Sequence, residues 1–243
     1  MFKKSFFLLA LFTSVLKADV EIEYAGNVIR YDINPRLSAV LNRLVLGTDF
    51  YWHNSSLYAL DDKTANNHKS DVIALLQQIK SKTGVATSKM QTLVSLQEEV
   101  EKWQVATRLP LNLDYDLIRI REELNPRLSD GRYRLHLPFR VYTVNVVGAI
   151  SQTKKLAHQS MSHVRDYLQA DSIEYLPYAD KTFVFVIHPN GQTKKVSLGF
   201  ENIEHVEVPP GGTIYIPIKE LPFSSENEQL NISIAQLLGS KIN

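Results

Sequence analysis

Val206–Ile218, read Val-Glu-Val-Pro-Pro-Gly-Gly-Thr-Ile-Tyr-Ile-Pro-Ile, is the stretch whose reading decides the fold. Pro209, Pro210, Gly211 and Gly212 make a turn, because proline fixes φ and glycine permits a positive φ. Ile214, Ile216 and Ile218 then alternate with Tyr215 and Pro217, the period of a strand with one apolar face. Pro217 has no N–H to donate, so this strand either lies at a sheet edge or ends there. An imperfect copy runs from Asp130 to Pro138, with a turn at Gly131 and then Tyr133, Leu135 and Leu137 alternating with Arg134 and His136. Two strands of one design, about one small-domain length apart, predict two related modules.

Around the first-quoted strand, Tyr142, Val144 and Val146 alternate up to Gly148, and Ile150 follows the turn. Phe183–Ile187 reads as a buried strand, His188–Gly191 as a turn, and Thr193–Leu198 as its return. Gln152–Gln169 fits one long helix through Ala157, Met161, Val164 and Leu168. It also fits a strand at Lys154–His158 followed by a helix near Ser162–Gln169, and the order of the first half favours that reading. There, Val20, Ile22 and Tyr24 alternate with Glu21 and Glu23, Gly26-Asn27 turns, and Val28–Ile33 returns. Asn34 as N-cap and Pro35 at the first helical position predict a helix, with Leu37, Val40, Leu41 and Leu44 on one face. A hairpin followed by a crossing helix opens a β-grasp module. Further strands are expected at Ser56–Leu60, Leu113–Ile120 and Arg132–Leu137.

Between them lies a helical hairpin that a small sheet does not need. Val72, Leu75, Leu76 and Ile79 share one helix face, and Gly84 breaks it. Ser88 with Gln91 forms a capping-box pattern, and Leu93, Leu96, Val100 and Trp103 line the second helix. After Pro222, Ser225 and Glu228 repeat that pattern, and Leu230, Ile234, Leu237 and Leu238 form an apolar stripe. At roughly 15 residues this last helix is too short to span a bilayer. Its stripe either packs onto the second module or meets a membrane surface or a partner. The fold expected is α+β, divided into a signal peptide (1–18), a first β-grasp module (19–138) with the helical hairpin inserted at about 64–108, a second β-grasp module (139–222) and a C-terminal amphipathic helix (223–243).

Lys3 and Lys4 precede the apolar run Phe6–Phe12, and the small Ala18 follows, the layout of a cleavable secretory signal. The chain has no cysteine, which removes lipoprotein anchoring, disulfides, thiol catalysis and cysteine zinc sites. A bacterial periplasm is the expected location. Hydrophobic residues at 44% and charged residues at 22% are globular values. The net charge of +1 argues against nucleic-acid binding and predicts no single-sign surface field.

No P-loop, Gly-x-Ser-x-Gly elbow or Gly-x-Gly-x-x-Gly occurs, and none of the seven histidines has ligand spacing, so neither metal nor cofactor is expected. Asp114 and Asp116 would share a strand face, the one pair that glycoside chemistry could use. Asn54-Ser-Ser and Asn231-Ile-Ser match a glycosylation sequon. Trp103 and Arg108, where the hairpin rejoins the sheet, form the candidate ligand site. An aromatic face stacks on a pyranose, and a guanidinium holds a carboxylate. The alternative is a helix-end Arg108 satisfying carbonyls, with Trp103 packing the hairpin.

Val144-x-Val146-x-Gly148, Val164-x-x-Tyr167-Leu168 and Pro210-Gly-Gly-Thr-Ile-Tyr-Ile-Pro217 together resemble the sugar-binding β-grasp (SLBB-like) modules of polysaccharide exporters. Gly212 stands where those modules usually carry Asp. With the hairpin, the final helix, Trp103…Arg108-Leu-Pro110 and Asn125-Pro126…Gly131, the chain resembles the GfcC-like family of group 4 capsule biosynthesis proteins. The resemblance implies a periplasmic, non-enzymatic accessory protein of capsule or exopolysaccharide export. Its expected partners are polysaccharide, an outer-membrane exporter, or both, with Arg108 at a functional cleft. Two rivals stay open: a protein-docking adaptor, and a glycan hydrolase using Asp114 and Asp116.

Overall fold

The computed structural model describes residues 19–45, 48–169, 173–199, 205–221 and 225–242. The expected signal peptide lies outside the described residues. One sheet contains β1 (Val20–Tyr24), β2 (Asn27–Tyr31), β3 (Ser56–Ala59), β4 (Thr107–Arg108) and β5 (Gly131–His136). The other contains β6 (Thr143–Gly148), β7 (Lys154–Ala157), β8 (Phe183–Ile187), β9 (Thr193–Ser197) and β10 (Thr213–Ile216). Their orders correspond strand for strand: β2-β1-β5-β3-β4 and β7-β6-β10-β8-β9. In each, the first strand runs parallel to the last and antiparallel to the second. The chain is therefore α+β, with two mixed sheets consistent with two β-grasp-like modules.

Among the described residues six α-helices accompany the sheets: α1 (Leu37–Asn42), α2 (Thr64–Ser81), α3 (Ser88–Lys102), α4 (Tyr115–Ile120), α5 (Val164–Leu168) and α6 (Glu226–Leu238). The ambiguous Gln152–Gln169 segment divides into β7 and α5, as the parallel with the first half suggested. A capping box at His163 and Asp166 starts α5.

The deciding turn closes with Gly212 N–H donating to the Pro209 carbonyl (2.8 Å), and Gly211 sits at φ +79°. β10 lies in the sheet interior between β6 and β8, and Pro217 falls just past its end. The expectation of one apolar face is incomplete, however, because Ile214, Tyr215 and Ile216 are all fully buried. β8 is likewise buried at every position. A strand is covered on both faces only where another layer shields the second face. Here α2, α3 and α6 supply that layer.

The helical hairpin is inserted between β3 and β4 of the first sheet but packs on the second. Val72, Leu76, Ile79, Leu93, Leu96, Val100 and Trp103 share one core with β6, β8, β10 and α6. The first sheet has a separate core, formed with α1 and α4 on one face. Its β5 keeps the simple alternation, with Tyr133 and Leu135 buried and Arg134 and His136 partly open.

The stripe of α6 is used internally. Leu230, Ile234 and Leu237 are fully buried, worth roughly 5–9 kcal/mol together by area transfer. Asn227 Nδ2 donates to the Lys219 carbonyl (2.6 Å), and Asn231 Nδ2 donates to that of Ile218 (2.8 Å). Asn231 Oδ1 accepts the Ile218 N–H at 3.0 Å, so this side chain extends the ladder of β10. Both sequon asparagines are buried, Asn54 at 8% and Asn231 at 0% exposure, so neither is open to modification in the folded chain. Among the described residues no helix is long and apolar enough to cross a membrane.

Four local expectations need correction. Leu113–Ile120 is not a strand. Asp114 caps α4 by accepting the N–H groups of Asp116 (3.1 Å) and Leu117 (3.3 Å), which the first turn of a helix leaves free. α1 begins at Leu37, and Asn34 does not cap it; its Nδ2 instead donates to the Leu128 carbonyl (2.9 Å) and Asp130 Oδ1 (2.8 Å). The free N–H groups of α1 are met from Asn125-Pro126: Leu37 donates to the Pro126 carbonyl and Ser38 to Asn125 Oδ1, both at 2.9 Å. Thr87 rather than Ser88 caps α3, accepting from Met90 N–H at 3.1 Å. Ser225 occupies the cap position of α6 but makes no side-chain capping bond.

Candidate functional site

Strand register builds one wall of a cleft between the two modules. Ile187 pairs with Thr213, Thr213 with Asn145, and Asn145 with Lys155, a cross-strand row over β8, β10, β6 and β7. Two residues further along β10 and β6, the same face carries Tyr215 and Val147, which are buried. The row thus begins where the helical layer stops, and polar side chains replace apolar ones at that point. Asn54, Arg108 and His136 of the first module face it, and Gly239, Lys241 and Ile242 close one end. The cleft encloses about 410 Å³.

Its electrostatics are one-sided. Arg108, Lys155 and Lys241 border it, with His136 and His188, and no carboxylate lines it among the described residues. A chain of net charge +1 led us to expect no single-sign field; the cleft concentrates one locally. Burial, then the Arg108 charge, pushes His136 below the usual imidazole range, and burial with Lys194 does the same to His188. Both are therefore neutral near pH 7. Asn54 Oδ1 is buried without a hydrogen-bond partner. The Asn54 amide is pressed against Gly211 of the deciding turn so closely that any Cβ there would collide with Nδ2.

Arg108 joins three parts of the molecule. Its Nε donates to the Gly239 carbonyl at the end of α6 (2.9 Å), and Nη2 donates to the Tyr58 hydroxyl (2.8 Å). The guanidinium also lies over the Tyr58 ring, 5.0 Å from its centroid. Gly191, in the β8–β9 turn, admits the arginine stem: a Cβ there would sit 3.1 Å from Arg108 Cδ. Tyr58 in turn donates to the Lys241 carbonyl (3.1 Å). Beside this knot Ala106 N–H donates to Ser240 and Ile242 N–H to Gln104, so the chain's end runs along the segment that leaves the hairpin. Burial holds the Arg108 pKa below its ordinary value, opposed only by the Tyr58 phenol. No carboxylate pairs with it among the described residues.

Trp103 is not at this cleft. It is 6% exposed within the core, with Lys69 Nζ capping its carbonyl at 2.7 Å and Lys241 Nζ 5.6 Å from its ring centroid. The structure therefore does not join Trp103 and Arg108 into one stacking-and-clamp site. The other tryptophan, Trp52, instead lines a second cavity of about 500 Å³ on the far side of Arg108, with Ser56, Asn190 and Gln192. Asn54, Asn145, Lys155 and Thr213 were missed by sequence reasoning, since they converge only when the modules pack. One signal was present: polar Thr143 and Asn145 alternate with Val144 and Val146 in β6, before the strand becomes apolar and buried on both faces at Val146-Val147.

Two family models cover most of the chain. "Capsule biosynthesis GfcC, N-terminal" matches residues 17–140, and "Capsule biosynthesis GfcC C-terminal" matches residues 152–243. YjbG of Escherichia coli K12, whose own role is uncharacterised, is 32% identical over 148 residues. That match covers 61% of this chain and 59% of YjbG, less than two thirds of the relative's length. The first sheet falls within the N-terminal family model, and β7–β10 of the second fall within the C-terminal one, with β6 between the two; the chain belongs to the GfcC family of capsule biosynthesis proteins.

Proposed function

We propose that this protein is a non-catalytic accessory factor of capsule or exopolysaccharide export and surface assembly, working in the periplasm and holding polysaccharide in the cleft between its modules. The observation that carries this reading is the cleft itself. Both modules build it, and it is rich in hydroxyl, amide and cationic groups, with Asn54, whose buried Oδ1 has no hydrogen-bond partner among the described residues, among those that line it. Sugar hydroxyls both donate and accept, so they match the amide and hydroxyl groups that line the cleft. The hydrolase reading loses its geometry, because Asp114 is committed to capping α4 and no longer shares a strand face with Asp116.

The test is surface-bound and released polymer on a deletion strain complemented with wild type or with Asn145→Tyr, which fills the cleft from its wall. Deletion is expected to deplete surface polymer, wild type to restore it, and Asn145→Tyr to fail at normal protein level. Unchanged polymer on deletion would sink the export reading. Arg108→Ala is the poorer probe, because Arg108 also ties the modules together. A docking-adaptor reading has one observation in its favour: Phe139 and Tyr142, between the modules, are 66% and 67% exposed. Full rescue by Asn145→Tyr, with loss on Phe139→Ser and Tyr142→Ser, would favour it.

A further inference from the structure

We propose that the inter-module cleft selects acidic glycan units, engaging the sugar carboxylate with Arg108, Lys155 and Lys241 while its amides and hydroxyls take the ring hydroxyls. This deepens the reading above and rests on it. The ligand class follows from an imbalance. Among the described residues, three cations and no carboxylate line one cleft, in a chain whose 27 basic and 26 acidic residues are otherwise matched. Arg108 is the sharpest case. Its Nε and Nη2 bond to neutral oxygens, Nη1 has no partner, and the charge is largely withdrawn from water. A cation buried without a counter-ion is costly, and an incoming carboxylate relieves that cost.

One carboxylate lies close to the site. Glu99 on α3 lies behind the wall, accepting from Thr153 Oγ1 (3.1 Å) and more weakly from Gly148 N–H (3.4 Å). Burial raises its pKa above the ordinary carboxylate value, with Lys241 and Lys102 pulling the other way. It therefore offsets part of the Lys241 charge, and leaves Arg108 and Lys155 unpaired. A glycan fits better than a peptide because Thr143, Asn145 and Thr213 present short polar groups along a strand wall. Stacked hydroxyls of a pyranose meet such a surface at every step, whereas an acidic peptide offers carboxylates and few hydroxyls.

The experiment is calorimetric titration of the purified protein with digalacturonate, its dimethyl ester, N-acetylneuraminate, a triglutamate peptide and inorganic phosphate. Digalacturonate or N-acetylneuraminate is expected to bind, to weaken with added salt, and to exceed the uncharged ester by about tenfold or more. Lys155→Glu, at an exposed strand edge with no hydrogen bond to lose, should abolish acid binding while leaving the unfolding midpoint unchanged. Lys155→Met should weaken it about three-fold. Equal binding of acid and ester would overturn the proposal. So would equal binding of triglutamate, binding of phosphate alone, or no binding of either acidic sugar. Failure here, with surface polymer still lost on deletion, removes the acidic selectivity and leaves the export reading standing; unaltered polymer on deletion removes the export reading whatever binds.

Discussion

Replacing Asn231 by alanine tests whether α6 is bolted to the second sheet or merely rests on it. Asn231 is fully buried and exchanges two hydrogen bonds with the backbone of Ile218, at 2.8 and 3.0 Å. Alanine leaves the N–H and the carbonyl of Ile218 buried and unpaired, each at a cost of about 1–3 kcal/mol. The expected loss is therefore roughly 2–6 kcal/mol, a large part of the about 5–15 kcal/mol that a domain typically holds. Urea unfolding followed by tyrosine and tryptophan fluorescence reads this as a lower midpoint at unchanged slope. Asn231→Asp sharpens the test. It keeps the acceptor for Ile218 N–H but turns a carboxylate oxygen toward the Ile218 carbonyl, so burial and that oxygen raise its pKa in the folded state. Its stability should thus be best below the ordinary carboxylate pKa and fall as pH rises through the raised value. A loss below about 1 kcal/mol for Asn231→Ala would show that α6 is not held by this residue in solution.

Two further substitutions probe the second module. Gly148 sits at φ +105°, and a Cβ there would collide with the Ile216 carbonyl and approach the Tyr215 ring to 2.6 Å. Gly148→Ala should therefore cost about 3 kcal/mol or more and reduce soluble yield, and a wild-type melting temperature would refute this account. Glu99→Gln keeps acceptance from Thr153 while removing a desolvated charge. Because the folded pKa of Glu99 is raised, its contribution is most favourable below the ordinary carboxylate value and is lost as pH rises through the folded one. The variant should gain melting temperature over wild type at neutral pH and lose that advantage in acid. An equal difference at both pH values would show that Thr153, Lys102 and Lys241 outweigh burial.

The two sheets were legible, β4 apart, because most of their strands repeat at period two between glycine and proline turns and Phe183–Ile187 is an unbroken apolar run, and those signals are local. The hairpin was legible as two helices for the same reason. Its destination was not, because Val72 or Leu96 marks a buried face without saying which sheet buries it. A trace of the answer lay in β10 and β8. Tyr215, Phe183 and Phe185 are too apolar for the open side of a half-buried sheet, and they imply a second layer. Leu113–Ile120 was misread because a capped two-turn helix and a short strand carry similar apolar content, and Asp114 as a cap outweighed the pattern. Arg108 stood out in the sequence, yet its partners Tyr58, Gly191 and Gly239 are scattered along the chain. Trp103 satisfied the composition of a sugar site, but its helical spacing from Leu96 and Val100 already placed it on the buried face.

The crossing of the hairpin onto the other sheet makes a further claim about how the chain is divided. A cut near residue 138 looks like a domain boundary, since β1–β5 precede it and β6–β10 follow it. Yet it removes from the second core Val72, Leu76, Ile79, Leu93, Leu96, Val100 and Trp103, all with 6% exposure or less. At about 1.5–3 kcal/mol for each buried side chain, the loss is roughly 10–20 kcal/mol, as large as the whole stability of an ordinary domain. Residues 139–243 expressed alone should therefore expose the face carrying Tyr215 and Phe185, bind a hydrophobic dye and lack a cooperative unfolding transition. A chain joining residues 62–106 through a flexible linker to residues 139–243 should recover that transition, since it returns the helical layer without the first sheet. If residues 139–243 alone unfold cooperatively without dye binding, the hairpin is an ornament of the second module and not part of its core. If only the joined chain does so, the inserted helices belong to the second module in energy and to the first only in sequence, and the cleft between the sheets is held at fixed width by the segment that crosses it.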